Sequence, residues 1–287
     1  MRIGLCGYGV MGKNHERVFK KLNVESIDIY DPMIDRFSDW NGFLGESSNF
    51  DGVSICSPTK FHVGPAIDLW NANKNLKILI EKPISYSIEE AKRLEKFSDK
   101  LVVGHIERCN PIIIKLKELY SNGDLGDIFS IKTVRNGPPP VRYMNDNVAI
   151  DLLVHDVDVV NYILGMYPTN IDRRYKSSSN SEIIDYAILI ADYANVNAIF
   201  ESNWITPIKI RSIEITCTHG YLMCDYIKQS IEMYPIESNP FNIDVHKAET
   251  LHNELSLFLD FCRGKRVDLC GYVDSISCLS FVSGEPL

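Results

Sequence analysis

The sequence predicts a two-domain α/β chain, with an N-terminal domain on a parallel sheet and a C-terminal α+β domain on a largely antiparallel open sheet. Three observations predict it. Short apolar runs alternate with amphipathic stretches through roughly the first 100 residues, the pattern of strands joined by crossover helices. Gly7, Gly9 and Gly12 break the chain where the first strand hands over to the first helix. Beyond about residue 125, apolar runs follow one another across short polar turns, which suits neighbouring antiparallel strands. The domains are drawn at 1–120 and 121–287.

The first run, "RIGLC" (2–6), ends in "GYGVMG"; an amphipathic stretch follows at roughly 11–22, then a strand "SIDIYD" (26–31) closed by Asp31. Each glycine has its own task. Gly7 makes a tight turn, Gly9 lets backbone approach a pyrophosphate, and Gly12 permits close helix–strand packing. The helix N-terminus offers free N–H groups to phosphates, so Val10 and Met11 join the glycines as cofactor-binding candidates. Asp31 lies 19 residues past Gly12, where a carboxylate can accept hydrogen bonds from an adenosine ribose. That carboxylate repels a 2′-phosphate, and no arginine follows directly in "DPMID", so the expected cofactor is NAD rather than NADP. This is the pattern of a Rossmann dinucleotide-binding domain.

The alternation continues. "GVSIC" (52–56) precedes the loop "SPTKFH" and a helix near 63–73, and "LKILI" (76–80) precedes "EKPIS". Ser87 and Glu90 form a capping box for "SIEEAKRLEKF", and "LVVGH" (101–105) is a fifth strand. Right-handed crossovers bring the strands' C-terminal ends to one edge, so the loops at Gly7, Ser57, Glu81 and His105 share a crevice. Ser57, Pro58, Thr59, His62, Glu81 and Lys82 are therefore further cofactor-binding candidates. Lys82, followed by Pro83, is either a solvated loop lysine beside Glu81 or a cation that reaches the substrate oxygen next to the nicotinamide.

In the second domain, "DIFSIKTVR" (127–135) reads as a strand, followed by "NGPPPVR" and the helix "VAIDLLVHDVDVVNYIL" (148–164). Asp151, His155 and Asp158 fall at i, i+4 and i+7 in that otherwise oily helix. The expectation is a helix buried on most sides, with one polar stripe bordering a cavity. "EIIDYAILI" (182–190), "NVNAIFESNW" (195–204), "IKIRSIEITC" (208–217) and "YLMCDYI" (221–227) read as consecutive antiparallel neighbours. A last amphipathic helix spans about 248–262 through Leu251, Leu255, Phe258 and Leu259. In "IKIRSIEITC", Lys209 and Arg211 share parity with Ile213, Ile215 and Cys217, so one strand face runs from apolar to basic. Such a face suits a phosphate or carboxylate on the substrate, with Arg142 as a candidate third contact; the alternative is an edge bulge that turns Lys209 and Arg211 into solvent.

The 287 residues carry a net charge of -8, with 24% charged and 45% hydrophobic residues. The acidic balance argues against nucleic acid and anionic membrane as partners. No apolar run is long enough for a transmembrane helix, and "MRIGLCGYGVMG" does not read as a secretory leader. Eight scattered cysteines without CxxC spacing suggest reduced thiols in a cytoplasmic protein with no structural metal.

The Rossmann half, "EKP" (81–83) and "DLLVHDVD" (151–158), taken in this order, resemble the Gfo/Idh/MocA family of sugar and cyclitol oxidoreductases along essentially the whole chain. By that resemblance, the lysine of the Glu-Lys-Pro motif is Lys82, and the aspartate and histidine of the helix motif are Asp151 and His155. The family commonly has a small residue after that aspartate; Leu152 and Leu153 here imply a bulkier pocket floor. "VGHIERCNP" (103–111), "GPPPVR" (137–142) and "NWITPIKIR" (203–211) are most similar to a subgroup described as UDP-N-acetylglucosamine 3-dehydrogenases, which usually has phenylalanine in place of Cys109. The resemblance implies NAD-dependent oxidation of a sugar secondary hydroxyl. Lys82, Asp151 and His155 would be catalytic, and Lys82, Arg142, Asp151, His155, Lys209 and Arg211 would bind substrate. It also implies a homodimer or homotetramer. Two alternatives stand beside this: a free-sugar or inositol dehydrogenase, and a non-enzymatic NAD-sensing protein.

Overall fold

The computed structural model describes residues 1–140, 147–178 and 183–287, and the chain divides into two compact units. The first comprises Met1–Ile106, Glu249–Ser280 and Glu285–Leu287. Its strands are β1 (Arg2–Cys6), β2 (Ser26–Tyr30), β3 (Gly52–Ile55), β4 (Lys77–Glu81) and β5 (Leu101–Gly104). They are parallel, in the order β5-β4-β3-β1-β2. In β4, Ile78, Leu79 and Ile80 are consecutive and all fully buried, so both faces of the sheet are covered, as an α/β layer requires. The connecting helices are α1 (Val10–Lys21), α2 (Trp40–Gly45), α3 (Val63–Ala72) and α4 (Ile88–Lys92).

Two expectations about this unit change. The helix read from "SIEEAKRLEKF" ends at Lys92, and a 3-10 segment follows at Glu95–Lys100, where Phe97 leaves helical geometry at φ -134°. Its start is as expected, with the Glu90 amide donating to Ser87 Oγ at 3.2 Å. The second change concerns the boundary. The first unit ends at Ile106 rather than 120, and it takes back the C-terminal helix Thr250–Cys262. Leu251, Leu255, Phe258 and Leu259 do form that helix's buried stripe, and the stripe serves this unit: Phe258 meets Phe19 of α1 at 6.4 Å between ring centroids. The strand Cys270–Gly271 then pairs antiparallel with β5, and a further helix, Tyr272–Ser283, follows. An amphipathic pattern tells which side of a helix is buried and not which sheet buries it.

The second unit comprises Glu107–Ala248 and Phe281–Gly284. It contains α5 (Pro111–Ser121), β6 (Ile128–Asn136), α6 (Val154–Leu164), β7 (Asn170–Lys176), β8 (Tyr186–Tyr193), β9 (Val196–Asn203), β10 (Ile210–Cys217), β11 (Gly220–Asp225), β12 (Ser230–Pro235) and β13 (Phe241–Ile243). The sheet order is β13-β12-β11-β10-β6-β9-β8-β7. Every pairing is antiparallel except β6 with β9. Consecutive pairing was expected across β9 and β10, but β6 lies between them, so the "ITP" turn is followed by a strand two places away. The inner face carries alternate residues such as Ile131, Ala198, Phe200, Ile213, Ile215 and Leu222, all fully buried. Strands β7, β12 and β13 lacked a clear apolar run; β7 alternates only between half-buried and exposed.

Among the described residues, no helix is long and apolar enough to cross a membrane, and all eight cysteines are free, seven of them buried.

Candidate active site

The nucleotide edge of the first unit is built mainly from backbone. Cys6, Ile55 and Ile80 are register partners on β1, β3 and β4, so the chain leaves all three strands at the same edge. Gly7 sits at φ +92°, and a Cβ there would lie 2.5 Å from the Ser57 amide nitrogen, so no other residue fits. At Gly12 a Cβ would strike the Gly7 carbonyl oxygen at 2.1 Å, which is the close helix–strand approach expected of it. Gly9 is different, because its Cβ position has no atom within 4 Å. It borders open space that a side chain would fill. Gly9 caps α1 without a side-chain hydrogen bond, and the helix's own first turn, with Val10 and Met11, contains no acid. This cradle fits a pyrophosphate.

Asp31 closes the same edge. Its Oδ2 accepts from the Tyr8 amide at 2.7 Å and its Oδ1 from the Met33 amide at 2.8 Å. The acid that faces a ribose in the sequence reading thus also ties the glycine loop to the end of β2. Ser57 Oγ donates to the Phe61 carbonyl at 2.8 Å, Pro58 is exposed, and Thr59 is buried. Lys82, half-buried, follows β4 directly.

Beneath this edge lies a buried polar cluster. His15, on the buried face of α1 with Gly12, Val18 and Phe19, places Nε2 2.9 Å from Glu81 Oε1 and Nδ1 2.9 Å from Ser54 Oγ. Burial works against a charged imidazole here, but neighbouring Cys56 and Glu81 outweigh it and hold His15 well above its usual range. Burial likewise raises the Glu81 carboxyl, yet the hydrogen bond from His15, with the charges of His15 and Lys82, leaves it below the usual carboxylate range. His15, Cys56 and Glu81 have ligand atoms within 4.8 Å of one another, but the direct His15–Glu81 hydrogen bond occupies the space between two of them. The Glu81 carboxylate therefore faces inward to His15, and the His62 ring contacts the carbonyls of Pro83 and Ser57 at 2.9 and 2.8 Å. Both are candidates for the cofactor, and in the fold their side chains brace the loops of this edge.

In the second unit, α6 is buried on every residue from Val154 to Leu164. A wider π-helical turn, Ala149–Leu153, precedes it, so Asp151 does not continue the regular helical line through His155 and Asp158. Nor do the acids form one stripe. Asp158 receives a bidentate pair from Arg108, Nε to Oδ2 at 2.8 Å and Nη2 to Oδ1 at 2.7 Å. Asp156 receives Arg135 of β6 through Nε at 3.0 Å and Nη2 at 2.8 Å, while Arg135 Nη1 reaches Glu107 at 2.8 Å. Each buried carboxylate takes its own arginine because an unpaired charge there is too costly. Burial opposes the Arg135 charge, and Asp156 and Glu107 together hold it well above its usual range. His155 is 9% exposed, and Asp151 is half-buried.

The basic strand face divides. Arg211 continues the buried parity of β10, whereas Lys209 precedes the strand and is exposed, because β10 begins at Ile210. Arg211 Nη1 donates to the carbonyls of Asn136 and Ile210. Burial and the charge of Arg135 lower the Arg211 guanidinium, against the pull of Asp156, Glu107 and Asp151. Asp151, Asp156 and Arg211 thus share one electrostatic neighbourhood within this unit. Arg142 lies outside the described residues.

The sequence reading missed Glu107, Arg108, Arg135, Asp156 and His15. For His15 a signal existed, since Gly12, His15, Val18 and Phe19 repeat at helical spacing and put a histidine on the core side. The arginine–acid pairs carried none, as Arg135 and Asp156 are 21 residues apart, and Arg108 and Asp158 are 50 apart.

Comparison with known proteins agrees with these features. Residues 1–103 match the family model described as oxidoreductase family, NAD-binding Rossmann fold, and residues 113–223 match the GFO/IDH/MocA C-terminal domain. The myo-inositol 2-dehydrogenase of Thermotoga maritima is 29% identical over 186 residues, 58% of this chain and 55% of that one. The chain thus spans little more than half the length of the first curated relatives it matches, 59% and 55%. The UDP-N-acetylglucosamine 3-dehydrogenase of Acidithiobacillus ferrooxidans is 22% identical over 299 residues, covering 94% of this chain and 91% of that one. Its solved structure superposes with a TM-score of 0.87 over 99% of this chain and 96% of that one, at 22% identity, which is a likeness of fold.

Proposed function

Because the chain belongs to the Gfo/Idh/MocA family of oxidoreductases, with an NAD-binding Rossmann fold, we propose that it oxidises a sugar secondary hydroxyl to a ketone, the substrate being a UDP-linked N-acetylhexosamine such as UDP-N-acetylglucosamine, oxidised at C3. The observation that carries this reading is the position of Lys82. It leaves the sheet at the same edge as Gly7 and Ser57, the edge that carries the open cradle at Gly9.

Bound in that cradle, NAD supplies the hydride acceptor. Gly7, Gly9, Gly12 and the first-turn amides of α1 hold the pyrophosphate, and Asp31 accepts from the ribose hydroxyls. His155 takes the hydroxyl proton, with Asp151 orienting it. Lys82 donates to the reacting oxygen as charge develops on it. Arg211 binds the diphosphate, its guanidinium pre-oriented by the two carbonyls that hold Nη1, with Lys209 and Arg142 as further candidate cations.

A second reading, a free-sugar or inositol dehydrogenase, draws on the same bonds. They occupy part of Arg211's donor capacity, and Lys209 lies outside the strand face. A panel of UDP-sugars, free sugars and cyclitols assayed for NADH formation separates the two. Preference for UDP-N-acetylglucosamine supports the first, preference for inositol the second, and no turnover with any hydroxyl substrate sinks both. We further read the outward face of the eight-stranded sheet, with exposed Phe129, Ile199 and Met223, as the face of a homodimer or homotetramer. Light scattering that gives a monomer contradicts that. The eight free cysteines fit a cytoplasmic setting.

A further inference from the structure

Resting on the reading of Lys82 as the group that touches the reacting oxygen, we propose that two buried histidines, His15 and His62, are positioning residues that hold Lys82 from both sides. The residue before Lys82 is tied by its side chain. Glu81 Oε1 stands 2.9 Å from His15 Nε2, and the same carboxylate covers Gly104, where a Cβ would lie 3.1 Å from it. The second residue of the bracket is tied by its backbone: the carbonyl of Pro83, which follows Lys82, is 2.9 Å from His62 Nδ1.

Both rings are themselves fixed. His15 is fully buried in α1, and its other nitrogen meets Ser54 of β3 at 2.9 Å. His62 is 1% exposed at the start of α3, and its other nitrogen meets the Ser57 carbonyl at 2.8 Å. All four ring nitrogens are thus engaged inside the first unit, and neither ring is offered to a ligand. Glu81's carboxylate only accepts, so His15 donates to it from Nε2. His62 faces two carbonyls while burial works against its charged form, so its neutral ring has one N–H to give, and that N–H is assigned to Nδ1 and Pro83.

A lysine stem is long and flexible, so the direction in which its backbone launches it limits where the ammonium can be found. Misplacing a reacting group by about 1 Å costs on the order of 100-fold in rate. The two tethers fix that launch point. Their loss is expected in kcat, with little change in cofactor binding.

The chemistry of the two rings gives a crossed test. An asparagine amide stands where Nδ1 does, and a glutamine amide where Nε2 does. At position 15 the bond to Glu81 comes from Nε2, so His15→Gln should exceed His15→Asn in kcat by about 10-fold. At position 62 the bond to Pro83 comes from Nδ1, so the order reverses and His62→Asn should exceed His62→Gln by a similar factor. NADH dissociation constants across the four variants should stay within about 3-fold of one another, and melting temperatures should not follow the crossed order. A general packing role gives no reason for the preferred amide to switch between positions. If one position unfolds the chain on substitution, the pair at the other carries the comparison. Lys82→Met is measured alongside. If it turns over like the wild type, the reading of Lys82 fails and takes the inference with it. If Lys82→Met is slow and the crossed order is absent, the inference alone is overturned.

Discussion

The two units place their chemistry on different supports. In the first, backbone lines the candidate cradle: a glycine at φ +92°, an open position at Gly9 and the first-turn amides of α1. His15 and His62 brace the loops of that edge, and Asp31 ties the glycine loop to the end of β2. In the second, the candidate groups are side chains on and before a helix buried on every residue, and arginines hold its acids at 2.7–3.1 Å. A backbone site tolerates little change of residue at a few positions. A side-chain site depends on a network in which each member keeps another charge compensated.

The largest expected effect tests that network. Arg135→Met leaves Asp156 and Glu107 without their shared partner in a buried place and should destabilise the protein by about 3–5 kcal/mol in urea unfolding. By contrast, Arg17 pairs with Glu249 on the surface of the first unit at 44% exposure, and Arg17→Met should leave the urea midpoint close to that of the wild type. Equal losses from the two substitutions would erase the distinction between a charge network and surface decoration.

Arg211→Ala comes next. It should raise KM for a UDP-sugar by roughly 10-fold, about 1.4 kcal/mol, while altering free-sugar kinetics much less. Equal losses on both substrates would make Arg211 a brace for Asn136 and Ile210 rather than a phosphate ligand.

In the first unit, Asp31→Ser should weaken NADH by up to about 10-fold and narrow its advantage over NADPH. Fluorescence titration of both cofactors measures this, and NADPH binding as tightly as NADH to the wild type would contradict the reading of Asp31.

The smallest effect is a pH dependence. His15 is held above its ordinary value, so its contribution is fully present below about pH 6.5 and lost as pH rises through its folded value. Glu81 is held below its ordinary value, so its contribution is present above about pH 4.3 and lost as pH falls through its folded value. The stability gap between wild type and His15→Phe should therefore be larger near pH 6 than at roughly pH 9. A gap that widens on the alkaline side would mean that His15 is neutral in the fold.

The same contrast explains what was legible in the sequence. Gly7, Gly9, Gly12 and Asp31 lie within 25 residues, and the backbone geometry they impose is local, so spacing alone announced it. Strand β4 and the cap at Ser87 were legible for the same reason. The ion pairs of α6 were not, because an arginine 21 or 50 residues away leaves no periodic trace. The polar residues of "DLLVHDVD" marked a special helix correctly, yet two of its four polar groups, Asp156 and Asp158, hold arginines. The insertion of β6 between β9 and β10, and the return of Thr250–Cys262 to the first unit, are choices of partner that hydrophobic patterns do not encode.

The proposed function assigns cofactor binding to the backbone edge and reaction to Lys82 and His155. The most direct measurement takes NADH dissociation constants and turnover with the best substrate of the panel, on the same preparations of wild type, Lys82→Met and His155→Asn. The account predicts turnover lower by about 100-fold or more in each variant, with NADH affinity within about 3-fold of wild type. Near-wild-type turnover in either variant, or a loss of NADH affinity that matches the loss of turnover, would contradict it.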